Sequence, residues 1–136
     1  LAWSLANRSA LIRVPAKRGN ATRIELRSPD PSCNPYLALA VILGAILDGV
    51  EKGIEPPLQV EENIYHMTNR ERKRAKIDSL PANLDEALDL LEKNEIIKDA
   101  LGQHIYDEFV LAKEKECDTF RTYVTPLEVD MYLNML

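Results

Sequence analysis

The chain is poor in the residues that build metal centres and covalent frameworks. It has two cysteines, Cys33 and Cys117, far apart and in no metal-ligand spacing. That argues against a disulfide framework or a zinc site and leaves free thiols in a reducing cytoplasm as the expectation. Histidine is as scarce. His66 and His104 stand alone, and a structural or solvated role is expected for both. No His-x-His, Cys-x-x-Cys or Walker-type glycine loop occurs. Apolar runs are short as well: the longest, residues 36–47, falls below the ~20 residues that a bilayer-spanning helix needs. Leu1-Ala2-Trp3-Ser4 has no basic n-region and no apolar h-region, so it does not read as a signal peptide. It reads as the middle of a β-strand, with Trp3 as a packing residue. Repeats, low-complexity tracts and linkers long enough to split the chain are also missing.

What is present is ordinary globular material. Of the 136 residues, 46% are hydrophobic and 29% charged, and the length suits one domain of ~100–200 residues. The net charge of -5 and the pI near 5.1 argue against a general nucleic-acid binder. Charge is unevenly spread, however. Arg8, Arg13, Lys17, Arg18, Arg23 and Arg27 face a single acid, Glu25, within residues 8–27, while acids concentrate from Glu51 onward. Local charge decides what such a segment binds.

The pattern predicts an α+β fold: an antiparallel β-hairpin, part of a larger sheet, followed by a mostly helical region. Residues 9–14 and 22–28 have strand composition. The second strand alternates, with Arg23, Glu25 and Arg27 on one face and Ile24 and Leu26 on the other. Lys17-Arg18-Gly19-Asn20 supplies the turn. Two strands make no stable sheet alone, so further strand from upstream sequence is expected. Ser28-Pro29-Asp30-Pro31 ends the second strand. Asn34 as N-cap and Pro35 at the first helical position open a helix over 35–50. It is apolar nearly all round and hence expected to be buried, with Gly49 and Gly53 near its end.

After a loop over 60–67 carrying Tyr65, Thr68 and Glu71 form a capping-box pattern. Asn83 and Glu86 repeat it ahead of a Leu84, Ala87, Leu88, Leu91 stripe. Asn94 caps a helix to about residue 101, and a long helix over 102–123 carries Ile105, Phe109, Ala112 and Phe120 as its stripe. Thr125-Pro126-Leu127-Glu128 opens a final helix over 126–135. That helix exposes Leu127, Met131, Leu133, Met135 and Leu136, a surface that suits a partner.

Arg23, Glu25 and Arg27, joined by Arg8 and Arg13 from the neighbouring strand, admit two readings. One is an anion-binding floor, because the planar guanidinium fork suits carboxylate and phosphate oxygens, with Glu25 offering oxygen to Mg²⁺ or Mn²⁺. The other is a cross-strand salt-bridge ladder on a solvated face. The basic residues Arg70, Arg72, Lys73, Arg74 and Lys76 could suggest nucleic acid, but the acidic whole favours a solvated helix face.

The pieces Asn7-Arg8-Ser9, Ile12-Arg13-Val14-Pro15, Arg23-Ile24-Glu25-Leu26-Arg27, Pro29-Asp30 and Asn34-Pro35-Tyr36-Leu37-Ala38 occur in an order and spacing that resemble glutamine synthetase of the bacterial type I class. The likeness continues through Leu47-Asp48-Gly49, Asn63-Ile64-Tyr65 and the helical tail. It therefore covers essentially the whole chain and places it as roughly the last third of that subunit. Residues 1–33 would then be the active-site hairpin and 34–136 the helical region of the C-terminal part of the catalytic domain.

The resemblance implies a cytoplasmic ligase that joins ammonia to L-glutamate with ATP, through γ-glutamyl phosphate. It implies that Arg8 contacts the glutamate side and the transferred phosphate as a catalytic group, and that Arg13 and Arg23 hold ATP phosphates. It further implies that Glu25 is a ligand of the metal, Mg²⁺ or Mn²⁺, and that Arg27 binds the glutamate carboxylate. It implies a double-ring dodecamer in which the C-terminal helix inserts into a subunit of the opposite ring. Two positions depart from the pattern. A lysine that reaches ATP in some relatives aligns with Asn20 here. Tyr65 falls where some members carry an adenylylated tyrosine, yet Asn63-Ile64-Tyr65-His66-Met67-Thr68 lacks the Leu-Pro that follows there and looks like the feedback-inhibited class. An ordinary loop tyrosine is expected. The remaining metal ligands and the ammonium-site acid lie upstream in the family, so the segment alone is expected to be inactive. The competing view is a non-catalytic oligomerisation or binding module derived from that enzyme.

Overall fold

The structure, a computed structural model, describes residues 1–135. Leu136, named above on the last helix, lies outside the described residues. The chain divides into two compact units, Leu1–Leu80 and Pro81–Leu136.

The first unit is built on a small mixed sheet of order β1-β2-β3, with β1 (Trp3–Ser4), β2 (Ile12–Arg13) and β3 (Glu25–Leu26). The anticipated antiparallel pairing of β2 with β3 is present, in the register Ile12 opposite Leu26 and Arg13 opposite Glu25. The strands are shorter than composition suggested. A 3-10 turn over Gly19–Ala21, with Gly19 at φ 73, takes up part of the connection. The third strand comes from this chain's own start: β1 runs parallel to β2, pairing Trp3 with Ile12 and Ser4 with Arg13. Parallel neighbours normally need a crossover of about a dozen residues or more. Here the paired stretches are so short that a tight loop suffices. On its other side β1 is met by the segment near residue 60, where Val60 N donates to Trp3 O at 2.9 Å and Trp3 Nε1 donates to Pro57 O at 2.6 Å. Ser4, fully buried, and Ala10 form the centre of this unit.

α1 (Pro35–Glu51) starts as predicted. Asn34 Oδ1 accepts from Tyr36 N and Leu37 N, and Pro35 occupies the first turn. It ends in a Schellman arrangement around Gly53 at φ 59, with Ile54 N donating to Gly49 O and Gly53 N to Val50 O. The expectation of burial fails. None of its residues is buried; Tyr36, Leu39, Leu43 and Val50 are all more than half exposed. An all-round apolar helix of 17 residues needs cover on several sides. Two-residue strands and loops offer too little apolar surface to wrap it.

α2 (Asn69–Arg74) carries the complete capping box, Thr68 and Glu71 bonding reciprocally. It closes on Lys76 at φ 55, with Ile77 N donating to Arg72 O and Lys76 N to Lys73 O.

In the second unit α3 (Leu84–Glu92), α4 (Glu95–Leu101) and α5 (Gln103–Thr122) pack on one another. Asn83 caps α3 by accepting from Glu86 N, although the Glu86 carboxylate reaches Ala82 N, one residue short of a closed box. The Leu84, Ala87, Leu88, Leu91 stripe faces inward, with Leu88 buried. The predicted stripe on α5 is displaced. Ile105, Ala112 and Phe120 are exposed, whereas Tyr106 and Cys117 are buried and Phe109, Val110 and Lys113 half-buried. The inward set 106, 109/110, 113, 117 keeps helical spacing but begins one residue later. Lys113 belongs to it as a half-buried side chain whose ammonium sits over the Phe109 ring, 5.9 Å from the centroid. Asp85 binds Arg121 at 2.7 Å and so ties the start of α3 to the end of α5. α6 (Pro126–Tyr132) opens with a second complete capping box, Thr125 with Glu128, and passes into a 3-10 turn over Leu133–Met135. Leu127, Met131, Leu133 and Met135 are exposed, as the sequence indicated.

Candidate active site

The β2–β3 register places Arg13 and Glu25 side by side on one sheet face. Arg13 Nη1 donates to Glu25 Oε2 at 2.9 Å. From the irregular stretch just ahead of β3, Arg23 Nη2 donates to Glu25 Oε1 at 2.7 Å. Each carboxylate oxygen thus has its own guanidinium. The Arg13 bond, followed by the Arg23 bond, holds the Glu25 pKa below its ordinary value, against an opposing push from desolvation. Glu25 therefore stays an anion at neutral pH, held between two guanidinium groups. Arg13 is the least exposed of the three side chains, and its buried Nε has no hydrogen-bond partner among the described residues. An unpartnered buried donor is unfavourable, and an incoming oxygen acceptor would satisfy it.

Arg8 and Arg27 form a second group. Arg8 is not on a strand, as supposed from composition, but in the turn between β1 and β2. Asn7 creates that turn: its Oδ1 accepts from Ser9 N at 2.9 Å and Ser9 Oγ at 2.7 Å, a local competition that favours turn over strand. The Arg27 guanidinium donates to the main-chain oxygen of Arg8, which ties the end of the β3 strand to this turn. The Arg8 side chain is exposed and has no ion-pair partner among the described residues. Lys17 and Arg18 lie apart, in the exposed β2–β3 connection, where Arg18 donates to Pro15 O and Lys17 O.

A pocket beside the second group is lined by Ser9, Leu11, Arg27, Ile64, Tyr65 and Arg72, among others, and measures about 400 Å³. Tyr65 sits in a 3-10 turn, Ile64–His66, and is largely exposed. Among the described residues no group of three or more His, Cys, Asp or Glu gathers to hold a metal ion. Glu25 fits one oxygen ligand of a hard cation, not a complete shell. Sequence reasoning assigned nothing to Asn7 and Ser9 individually. They carry no charge, and only the Asn-x-Ser turn pattern hints at their bonds.

Clustered guanidiniums around a carboxylate, on a small mixed sheet followed by helices, define an α+β segment suited to binding oxygen anions. Residues 1–132 match the model of the glutamine synthetase catalytic domain. The chain is 58% identical over 133 residues to a glutamine synthetase of Thermotoga maritima, and 54% identical over 133 and 134 residues to those of Thermus thermophilus and Clostridium saccharobutylicum. Each match covers 98% of this chain and 30% of the relative. The chain thus belongs to the glutamine synthetase catalytic-domain family, and spans about 30% of the length of the curated relatives it matches.

Proposed function

We propose that the chain supplies the phosphate- and glutamate-binding arginines of a cytoplasmic glutamate–ammonia ligase. The observation that carries this reading is the family match over residues 1–132, combined with the gathering of Arg13 and Arg23 about Glu25 and of Arg27 about the Arg8 turn.

In this reading a glutamate γ-carboxylate oxygen attacks the γ-phosphorus of ATP and ADP leaves. Ammonia then attacks the acyl carbon of γ-glutamyl phosphate, phosphate departs, and a proton is lost to give L-glutamine. Phosphoryl transfer depends more on positioned positive charge than on covalent help from the protein. Arg13 and Arg23 already hold carboxylate oxygens, and ATP phosphates offer the same acceptors. Arg8, exposed and without an ion-pair partner among the described residues, reaches the transferred phosphate and the glutamate. Arg27, anchored on the Arg8 main chain, takes the glutamate carboxylate. Mg²⁺ or Mn²⁺, when bound, would neutralise nucleotide phosphate charge, and Glu25 would give it one oxygen ligand from this chain. The exposed apolar side of α6 supports assembly with further copies, as a dodecamer at family length.

The test is a protein of family length in which this chain replaces the matched stretch of the Thermotoga maritima glutamine synthetase. That protein should make glutamine, and Arg27→Ala should lose at least ~10-fold in kcat/KM for glutamate, as expected for a charge-assisted hydrogen bond of about 1.5–3 kcal/mol. Near-normal kinetics for glutamate would refute the role of Arg27.

A further inference from the structure

We propose that Asn7 is a positioning residue that fixes Arg8 for the reaction by binding the turn that carries it to the segment after α1. The inference rests on the reading of Arg8 given above and extends it to a residue without charge.

The amide of Asn7 is used to capacity. A primary amide has two donor hydrogens and an oxygen with two lone pairs. Asn7 Nδ2 donates to Val60 O at 3.1 Å and to Glu62 O at 2.6 Å. Asn7 Oδ1 accepts from Ser9 N and Ser9 Oγ at 2.9 and 2.7 Å. The chain continues outward from both ends. Ser9 Oγ accepts from Ile64 N at 2.9 Å, and Ser4 Oγ accepts from Asn7 N at 3.2 Å while donating to Glu61 Oε1 at 3.1 Å. Arg8 therefore sits between two residues locked onto residues 60–64, and its carbonyl is held in addition by Arg27. Its side chain is left with no bond among the described residues. The backbone is fixed and the guanidinium is free, which is how a group meant for a ligand is best presented.

Only asparagine meets these requirements. Aspartate has the same shape but no donors, so Asn7→Asp sets a carboxylate oxygen against two carbonyls, next to Glu61 and Glu62. Glutamine adds a methylene that the Asn7–Ser9 turn does not accommodate.

A double-mutant cycle in the family-length protein separates positioning from simple folding. Asn7→Asp should lower kcat/KM for glutamate by ~10–100-fold, the scale on which a small misplacement of a reacting group acts, while KM for ATP changes less than about two-fold. In an Arg8→Ala background the same change should cost less than about two-fold, because the group it positions is gone. If Asn7→Asp does not fold, Ser9→Ala, which removes the Ser9 Oγ bonds to Asn7 and Ile64, takes its place with the same expectations. An equal loss in both backgrounds, or unchanged kinetics in the folded variant, overturns the role of Asn7. If Arg8→Ala itself is fully active, the assignment of Arg8 fails first, and Asn7 falls with it for that separate reason.

Discussion

Glu25 shows how far one side chain's surroundings decide its state. Its two oxygens are shared between Arg13 and Arg23, and the bond to Arg13 does most to keep it ionised. A half-buried ion pair still open to solvent contributes little stability. The arrangement matters for what it holds ready, since three charged groups converge without help from any ligand. The two cysteines make the opposite comparison. Cys33 is exposed, whereas Cys117 is buried on α5. Burial raises the Cys117 pKa first, and the neighbouring Asp85 carboxylate adds to it. Thiolate is the reactive form, so in the native 136-residue chain one thiol should react rapidly with a maleimide at pH 7 and the other only on unfolding. Mapping the labelled peptides should place the fast site at Cys33. Equal rates would show that α5 does not shield Cys117.

At the scale of the element, side-chain caps explain why helix starts were legible. Asn34, Thr68, Asn83, Asn94 and Thr125 all cap where the sequence indicated, because each of these bonds is made within two to three residues. Thr68→Ala should cost α2 about 1 kcal/mol, read as a roughly five-fold faster hydrogen exchange over Asn69–Arg74. The box also predicts an acid response. The Thr68 hydroxyl, then its backbone N–H, lowers the Glu71 pKa. At α6 the Thr125 backbone N–H, then its hydroxyl, lowers that of Glu128. Both carboxylates have folded pKa values below the ordinary 4.5. Their stabilisation is therefore complete above that pH and fades as the pH falls through the lowered folded values. Protection factors in the first turns of α2 and α6, with the intrinsic exchange rate divided out at each pH, should fall as the pH drops below 4.5, and Thr68→Ala should flatten the response at α2 alone.

Sheet and stripe boundaries were less legible for the same physical reason in reverse. Strand composition over 9–14 correctly marked β2, but Asn7 and Ser9 hold the chain in a turn that propensity does not register. On α5 the apolar pattern put Ile105 and Phe120 inward. Packing against α3 and α4 instead selected Tyr106 and Cys117, with the Lys113 stem counted as apolar surface.

At the scale of the whole molecule, apolar surface exceeds what the chain covers. α1 exposes Tyr36, Leu39, Leu43, Ile46, Leu47 and Val50, and α6 exposes Leu127, Met131 and Leu133. Each large side chain left in water forgoes about 1.5–3 kcal/mol. Prepared alone, the 136 residues should bind a hydrophobic dye such as ANS and associate as concentration rises. They should also make no glutamine from glutamate, ammonia and ATP, since no group of three or more His, Cys, Asp or Glu gathers among the described residues to hold a metal ion. A monodisperse monomer without dye binding would contradict the exposure of α1, and glutamine above a blank would contradict the division of the site. No helix among the described residues is long and apolar enough to cross a membrane.

The sequence by itself determined the helix starts, the antiparallel pairing that carries Arg13 and Glu25, and the family, because these depend on neighbours close in the chain or on motifs in fixed order. Tertiary structure alone decided that Glu25 is shared by two arginines, that Arg27 anchors on the Arg8 turn, that Asn7 binds residues 60–64, and that α1 lies uncovered. Each of these depends on which distant segments meet, and local propensity carries no record of that.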